Sequence, residues 1–143
     1  MDKRVVANEI LLEDAAALMQ EGREVTIKPL GYSMLPFIRG GKDSVRLKKM
    51  PTVAVGDMLL VRLPGPRYVL HRLIAMDGDR LTLMGDGNLV GTESCTQADV
   101  LGTVVAIERG KRVVVPGNGL WWRRRIPTIV RRYLLAIYRR IIQ

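Results

Sequence analysis

The sequence has one cysteine, Cys95, in its 143 residues, so an intramolecular disulfide is excluded and a reducing compartment is favoured. No stretch is both long and uncharged enough to predict a transmembrane helix. Near the N-terminus the apolar run is interrupted by Glu9, Glu13 and Asp14, which is untypical of a signal peptide or anchor. We therefore expect a cytoplasmic protein, and we predict neither a metal nor a cofactor.

Acidic residues are absent from the last part of the chain. Residues 1–108 contain 13 Lys or Arg against all 14 Asp or Glu, whereas residues 109–143 contain the other 10 basic residues and no acid. The net charge of +9 therefore belongs to the C-terminal part, while the rest of the chain is close to neutral.

The apolar patterns predict one mainly β (α+β) domain with a helical segment at each end. An N-terminal helix is predicted over 8–21, within a segment 1–24. Short β-like runs broken by Gly, Pro and Asp then fill 25–116, with few helical patterns between them. This arrangement favours a compact, largely antiparallel β domain over a parallel sheet. A hairpin turn is predicted at MDGDR, where Gly78 can adopt positive φ. The predicted strands are EVTIKPL, SVRLKK, DMLLVRL, RYVLHRLIAM, DRLTLM and VLGTVVAIERGKRVVV, the last divided at Gly110.

The C-terminal segment, 117–143, is predicted to hold one cationic amphipathic helix over Trp121–Ile142. Its apolar residues recur at helical spacing, and its arginines fall in pairs. Two locations for this apolar stripe stay open, namely packing against the β domain and peripheral contact with a membrane. The stripe consists of Ile126, Ile129, Val130, Tyr133, Leu134, Ile137 and Ile141.

One bend has the features that a catalytic serine requires of its surroundings. The segment KPLGYSMLPFIRGG, residues 28–41, places Ser33 in a short turn bracketed by glycines. A serine nucleophile needs an adjacent base, and the single histidine of the chain, His71, lies in a predicted strand that would present it rigidly. Asp86, between two glycines in LMGDGN, is a candidate acceptor for the second imidazole nitrogen.

Each of these residues also has a plain structural interpretation. Ser33 and Asp86 are residue types that turns commonly contain, and His71 is compatible with a half-exposed strand position. Cys95 is the rival nucleophile, but TESCTQ contains neither a bend nor a base, so a small buried thiol is expected there.

Four short segments, taken in order, resemble the type I signal peptidase family and the related LexA-like serine peptidases. The resemblance spans about residues 25–108. In the histidine-type members of that family the general base is a histidine followed by arginine, and a second aspartate often follows the last segment. The nearest acid here is Glu93, to which the sequence assigns no role. The four segments are Ser33-Met34-Leu35-Pro36, Gly56-Asp57, His71-Arg72 and Gly85-Asp86-Gly87-Asn88.

The resemblance implies a compact antiparallel peptidase fold with Ser33 as nucleophile, His71 as general base and Asp86 as the third catalytic group. It also implies an extended peptide or small-precursor substrate with small side chains near the cut, bound along a strand edge. Processing of a leader peptide or small precursor in the cytoplasm is therefore expected.

A non-catalytic binding or regulatory module with the same fold is the alternative function. Only 32 residues, with one predicted helix, precede Ser33, so a LexA-like repressor is disfavoured. A nucleic-acid partner for the arginine-rich tail is also disfavoured, because helical spacing of its apolar residues indicates burial or lipid contact.

Overall fold

A computed structural model describes residues 3–5 and 9–142 of the chain, with side chains from Leu12 onward. The first helix, α1, covers Glu9–Gln20 and buries Leu12, Ala15 and Met19 against the sheet. The prediction of a helix over 8–21 is therefore confirmed for this range. Residues 1, 2 and 6–8 of the predicted N-terminal segment lie outside the described residues.

In residues 3–5 and 9–142, nine strands form a single sheet in the order β1-β2-β3-β8-β4-β5-β6-β7, with β9 paired to β8. The pairs are antiparallel except β1 with β2, which run parallel. The prediction of a mainly β, largely antiparallel domain is thus confirmed. The strands are β1 Lys3–Val5, β2 Val25–Lys28, β3 Ser44–Lys48, β4 Met58–Leu63, β5 Arg67–Asp77, β6 Arg80–Met84, β7 Glu93–Thr96, β8 Val100–Arg109 and β9 Arg112–Val114.

All six predicted strand segments form strands, and two hairpins fall where glycine predicted them. Gly78 joins β5 to β6 with φ 58°, and Gly110 joins β8 to β9 with φ 62°. Positive φ costs glycine little because it has no Cβ, which is why these two turns can be tight. β1 and β7 were not predicted from the sequence, because strands this short give little periodicity to detect.

The core has two main parts, in which buried residues from different strands meet. The first cluster packs α1 against β2, β3, β8 and one side of β4, and it contains Met19, Ile27, Leu47 and Leu60. The second cluster joins β4 to β5, β6 and β7. Successive residues of β4 enter different clusters, as Leu59 and Leu60 show, because neighbouring side chains on a strand point to opposite faces.

The C-terminal segment differs from the single helix that was predicted. It forms two helices, α2 over Leu120–Arg125 and α3 over Thr128–Ile142, separated at Ile126 and Pro127. Ile126 is extended, with φ −99° and ψ 117°, because a following proline disfavours helical geometry. Trp122, Leu135 and the helix end at Ile142 pack against Leu35. In the described ranges, no helix has the length and apolar character required to cross a membrane.

Candidate active site

The Ser33 bend is a compact loop between β2 and β3. The N–H of Leu35 donates to Tyr32 O at 3.2 Å, and the N–H of Ile38 donates to Met34 O at 2.9 Å. The Leu35–Pro36 peptide bond is cis. Leu35 and Ile38 are buried, whereas Ser33 is only partly buried. The apolar side chains therefore anchor the loop and leave the serine hydroxyl at its surface.

A buried carboxylate fixes the end of this bend. Asp43 accepts hydrogen bonds from the backbone N–H of Arg39 at 2.8 Å and from its guanidinium at 2.8 and 3.0 Å. The Arg109 guanidinium bonds both Asp43, at 3.3 Å, and Phe37 O, at 2.7 Å. Burial acts to raise the pKa of Asp43, but the hydrogen bonds and charges of the two arginines outweigh it, so this pKa lies below its usual value.

The Gly85-Asp86-Gly87-Asn88 loop packs directly on the Ser33 bend. The N–H of Gly87 donates to Ser33 O at 2.8 Å. A methyl group on Gly87 would lie 2.3 Å from Tyr32 O, and one on Gly85 would lie 2.3 Å from Ser33 O and 3.1 Å from His71 Nε2. Glycine is required at both positions by this close approach. The same contacts show that the serine bend and the His71 ring meet at Gly85.

Ser33 and His71 line one cleft of about 210 Å³. His71 lies on β5, where its side chain is 8% exposed. Most of the cleft wall is apolar and comes from the Ser33 bend and β5, with Leu12, Ile27 and Leu60 contributed by α1, β2 and β4. Within the described residues, Ser33 Oγ and the His71 ring are not hydrogen-bonded to each other. Catalytic hydrogen bonds are often long without substrate.

Glu93 holds the other nitrogen of the His71 ring. His71 Nδ1 and Glu93 Oε1 are 2.5 Å apart, and the Glu93 side chain is 17% exposed. A carboxylate at Nδ1 requires the proton on that nitrogen, which leaves the Nε2 lone pair free in a neutral ring. This contact arises at a gap in the sheet, since β6 ends at Met84 opposite Arg72 and β7 begins at Glu93.

The expectation that Asp86 accepts the second imidazole hydrogen bond is wrong. Asp86 is fully buried and pairs with Arg72, whose Nη2 and Nε lie 2.6 and 3.1 Å from its oxygens. Arg72 follows His71 on β5 and therefore points to the opposite face of the strand. Burial raises the pKa of Asp86, while the hydrogen bonds and charge of Arg72 act in the opposite direction.

The Arg72–Asp86 pair joins three parts of the chain. Arg72 Nη1 donates to Gly56 O at 2.8 Å and to Gly117 O at 3.1 Å. The indole N–H of Trp122 donates to Asp86 O at 2.9 Å, which fastens α2 to the Asp86 loop. The Gly56-Asp57 segment, the Asp86 loop and the start of the C-terminal segment thus meet around one buried guanidinium.

Cys95 lies outside the cleft. It is 8% exposed and belongs to the core cluster between β4 and β7. Burial, followed by the charges of Asp99 and Asp79, raises the pKa of its thiol to about 11. A thiol with this pKa is almost entirely protonated near neutrality, so the expectation of a small buried thiol agrees with the structure.

Ser33, His71 and Asp86 were singled out from the sequence, but the partner expected for His71 was Asp86, whereas the structure places Glu93 there. The available signal was an acid soon after the Gly-Asp-x-Asn segment, and only the pairing of β7 with β6 shows that Glu93 reaches the imidazole.

Among the described residues, no group of three or more His, Cys, Asp or Glu side chains could hold a metal ion. No protein-family model matches the chain, and no curated protein matches it.

Proposed function

We propose that this protein is a serine endopeptidase, similar in fold and mechanism to the histidine-type signal peptidases, with Ser33 as nucleophile and His71 as general base. The observation that carries the proposal is the shared cleft of Ser33 and His71, together with the Glu93 carboxylate on the far ring nitrogen. A nucleophile, a base and a group that orients the base are the parts that this chemistry needs.

In the acylation step, His71 Nε2 takes the Ser33 Oγ proton while Oγ bonds to the carbonyl carbon of the scissile peptide. Glu93 keeps Nδ1 protonated and stabilises the imidazolium that forms. The imidazolium then returns the proton to the amine of the leaving fragment as the C–N bond breaks. In the second step His71 Nε2 takes a proton from a water molecule whose oxygen attacks the ester carbon. The imidazolium then returns that proton to Ser33 Oγ as the acyl C–O bond breaks, which releases the new carboxyl terminus and restores both side chains.

Two backbone groups are candidates for stabilising the oxyanion. The N–H groups of Ser33 and Met34 donate no hydrogen bond to any described residue, although the following N–H, of Leu35, does. Free backbone donors beside a nucleophile can bind the negative charge that develops on the carbonyl oxygen. This arrangement supports acyl transfer over simple peptide binding.

An extended peptide fits the edge of β5 that borders the cleft. Residues 67–71 pair with β4 on one side, whereas pairing with β6 on the other side begins only at Arg72. A substrate strand could add there through main-chain hydrogen bonds, with alternate side chains entering the apolar cleft. The volume of about 210 Å³ favours small apolar side chains next to the cut.

Asp86 has a positioning role in this proposal and not a direct contact with the base. Its pairing with Arg72 holds the glycine loop, and the loop in turn supports the Ser33 bend through Gly87. Loss of Asp86 is therefore expected to reduce activity by disturbing the geometry of the nucleophile.

The test is cleavage of a complex peptide library by the purified full chain, with new peptide ends read by mass spectrometry. We expect the wild type to produce a defined set of cuts that Ser33→Ala and His71→Ala each abolish. Ser94→Ala is the matched control, because Ser94 is an exposed serine on β7, and it should cleave like the wild type.

Two results would overturn the proposal. One is cleavage by Ser33→Ala at the wild-type rate, which would assign the activity to another group. The other is absence of any cut in the library combined with tight binding of library peptides to the wild type. That second result would favour the alternative of a binding module with this fold.

A further inference from the structure

One face of α3 is apolar and exposed. Ile129, Tyr133, Ile137 and Ile141 follow one another at four-residue spacing, with Val130 and Leu134 beside them, and all six are between 41% and 73% exposed. We refer to these six residues as the apolar face. The side of α3 that packs on the protein is a different one, formed by Arg131, Leu135 and Ile142. Large apolar patches on a surface usually mark a binding site.

The apolar face continues into a groove of about 280 Å³ at its edge. Pro36 forms the far wall, so the groove reaches the same bend that carries Ser33. Its lining is almost wholly apolar and offers hydrogen bonds to few ligands. The remaining lining residues are Trp122, Leu134, Leu135, Ile137, Tyr138 and Ile141.

The charge around this face has one sign. No Asp or Glu follows Glu108, and α2 and α3 together carry seven arginines. Arg131 is 4% exposed, and its Nε and Nη1 have no hydrogen-bond partner among the described residues. Arg123 Nη1 is also buried, with no hydrogen-bond partner in the part of the chain that the structure describes. Burial and the nearby Arg131 lower the pKa of Arg123. Arg131 lies on the side of α3 that packs on the protein, and Asp86 acts on the charge of Arg123. The other five arginines of these two helices are exposed, and neither helix contains an acid that could offset them, which favours an anionic partner.

We propose that the apolar face docks the protein onto an anionic lipid membrane, with α3 lying in the plane of the interface. The apolar side chains would enter the boundary between headgroups and acyl chains, and Arg132 and Arg140 would meet lipid phosphates. Electrostatic attraction between the arginines and the anionic headgroups adds to the burial of these side chains. Trp121, which is 48% exposed beside this helix, is a residue type that membrane interfaces favour.

Charge distinguishes lipid from the other possible occupants. A second copy of the chain would bring two arginine-rich helices together, and like charges in contact repel. A nucleic acid would satisfy the arginines but would leave the six apolar side chains in water. Only an anionic lipid surface offers phosphate and hydrocarbon together. This inference does not depend on peptidase activity.

The experiment is vesicle flotation of the full chain with two lipid compositions, phosphatidylcholine alone and phosphatidylcholine with about a third phosphatidylglycerol. We expect the wild type to float with the anionic vesicles and about tenfold less with the neutral ones, and we expect high salt to weaken the binding. The double variant Ile137→Glu/Ile141→Glu should lose at least tenfold in partitioning to the anionic vesicles.

The matched control is Val90→Glu/Val113→Glu, which adds the same charge at two positions outside α3 that are 84% and 54% exposed. It should float nearly as the wild type does, and thermal melting checks that both variants are folded. Equal flotation of the two double variants would overturn the proposal. A wild type that stays off both vesicles would overturn it as well. If light scattering then shows a dimer, and Ile137→Glu/Ile141→Glu dissociates that dimer, the apolar face binds a second copy of the chain.

Discussion

His71 and Arg72 are neighbours on β5, and each has a carboxylate partner, yet the two pairs lie in different environments. The His71–Glu93 pair borders a cleft, with side chains 8% and 17% exposed. The Arg72–Asp86 pair is closed off, with side chains 1% and 0% exposed. Strand alternation separates them, since successive side chains point to opposite faces.

The difference indicates that the two faces of β5 have different roles, one in proton exchange and the other in structural contacts. A histidine at the wall of a cleft can exchange protons with a substrate, and Glu93 sets which nitrogen is free to do so. Arg72 donates to Asp86, Gly56 O and Gly117 O, and these hydrogen bonds hold three loops together. We therefore expect changes on the His71 side to affect rate and changes on the Arg72 side to affect stability.

The largest expected effect is on the rate of peptide cleavage. Ser33→Ala and His71→Ala should each lower kcat by at least about 1,000-fold, and the double variant should be no worse, because the two residues act as a unit. Steady-state kinetics on a peptide identified from the library measures this. Additive losses in the double variant would show that Ser33 and His71 do not act in one step.

Replacing the buried arginine should have the next largest effect, this time on folding. Arg72→Lys keeps the charge but loses the forked contact with Asp86 and one or both carbonyl bonds, so we expect the free energy of unfolding to fall by about 2–3 kcal/mol. Urea denaturation measures it. The matched variant Arg62→Lys changes a partly exposed arginine on β4 and should cost less than about 1 kcal/mol.

Glu93→Gln should separate rate from stability. The amide can no longer hold the imidazolium that forms during attack, so kcat should fall by about 100-fold while KM changes little. The unfolding free energy should change by less than about 1 kcal/mol, because the group is partly solvated. Partial recovery of kcat in Glu93→Asp would support orientation of His71. An Asp86→Asn variant that loses kcat as strongly at unchanged stability would instead favour Asp86 as the partner of the base.

The smallest expected effect is at Cys95. Cys95→Ala should leave kcat within about twofold and lower stability by about 1 kcal/mol, as loss of a small buried side chain does. Because burial raises the thiol pKa to about 11, alkylation of the folded wild type should stay slow from neutral pH up to about 9 and accelerate only above that. Fast labelling at neutral pH would contradict the buried position.

Several features could be predicted from the sequence because they depend on local physics. Side-chain alternation predicts strands such as β5 and β8, and Gly78 and Gly110 mark the hairpins that follow them because positive φ is cheap only for glycine. Ser33 and His71 were singled out by residue type and setting, and they line one cleft in the structure.

The partners of these residues depend on contacts between distant segments, and the sequence does not encode those contacts in any local pattern. Side-chain alternation along β5 predicts that His71 and Arg72 face opposite sides of the strand, but it does not predict which carboxylate pairs with each of them. The pairing of β6 with β7 brings Glu93 to His71, and the loop after β6 buries Asp86 against Arg72. Likewise, helical spacing revealed an apolar stripe on α3. Tertiary packing decided that Arg131, Leu135 and Ile142 face the protein, because Trp122 and Leu35 occupy that side and leave the apolar face of α3 exposed.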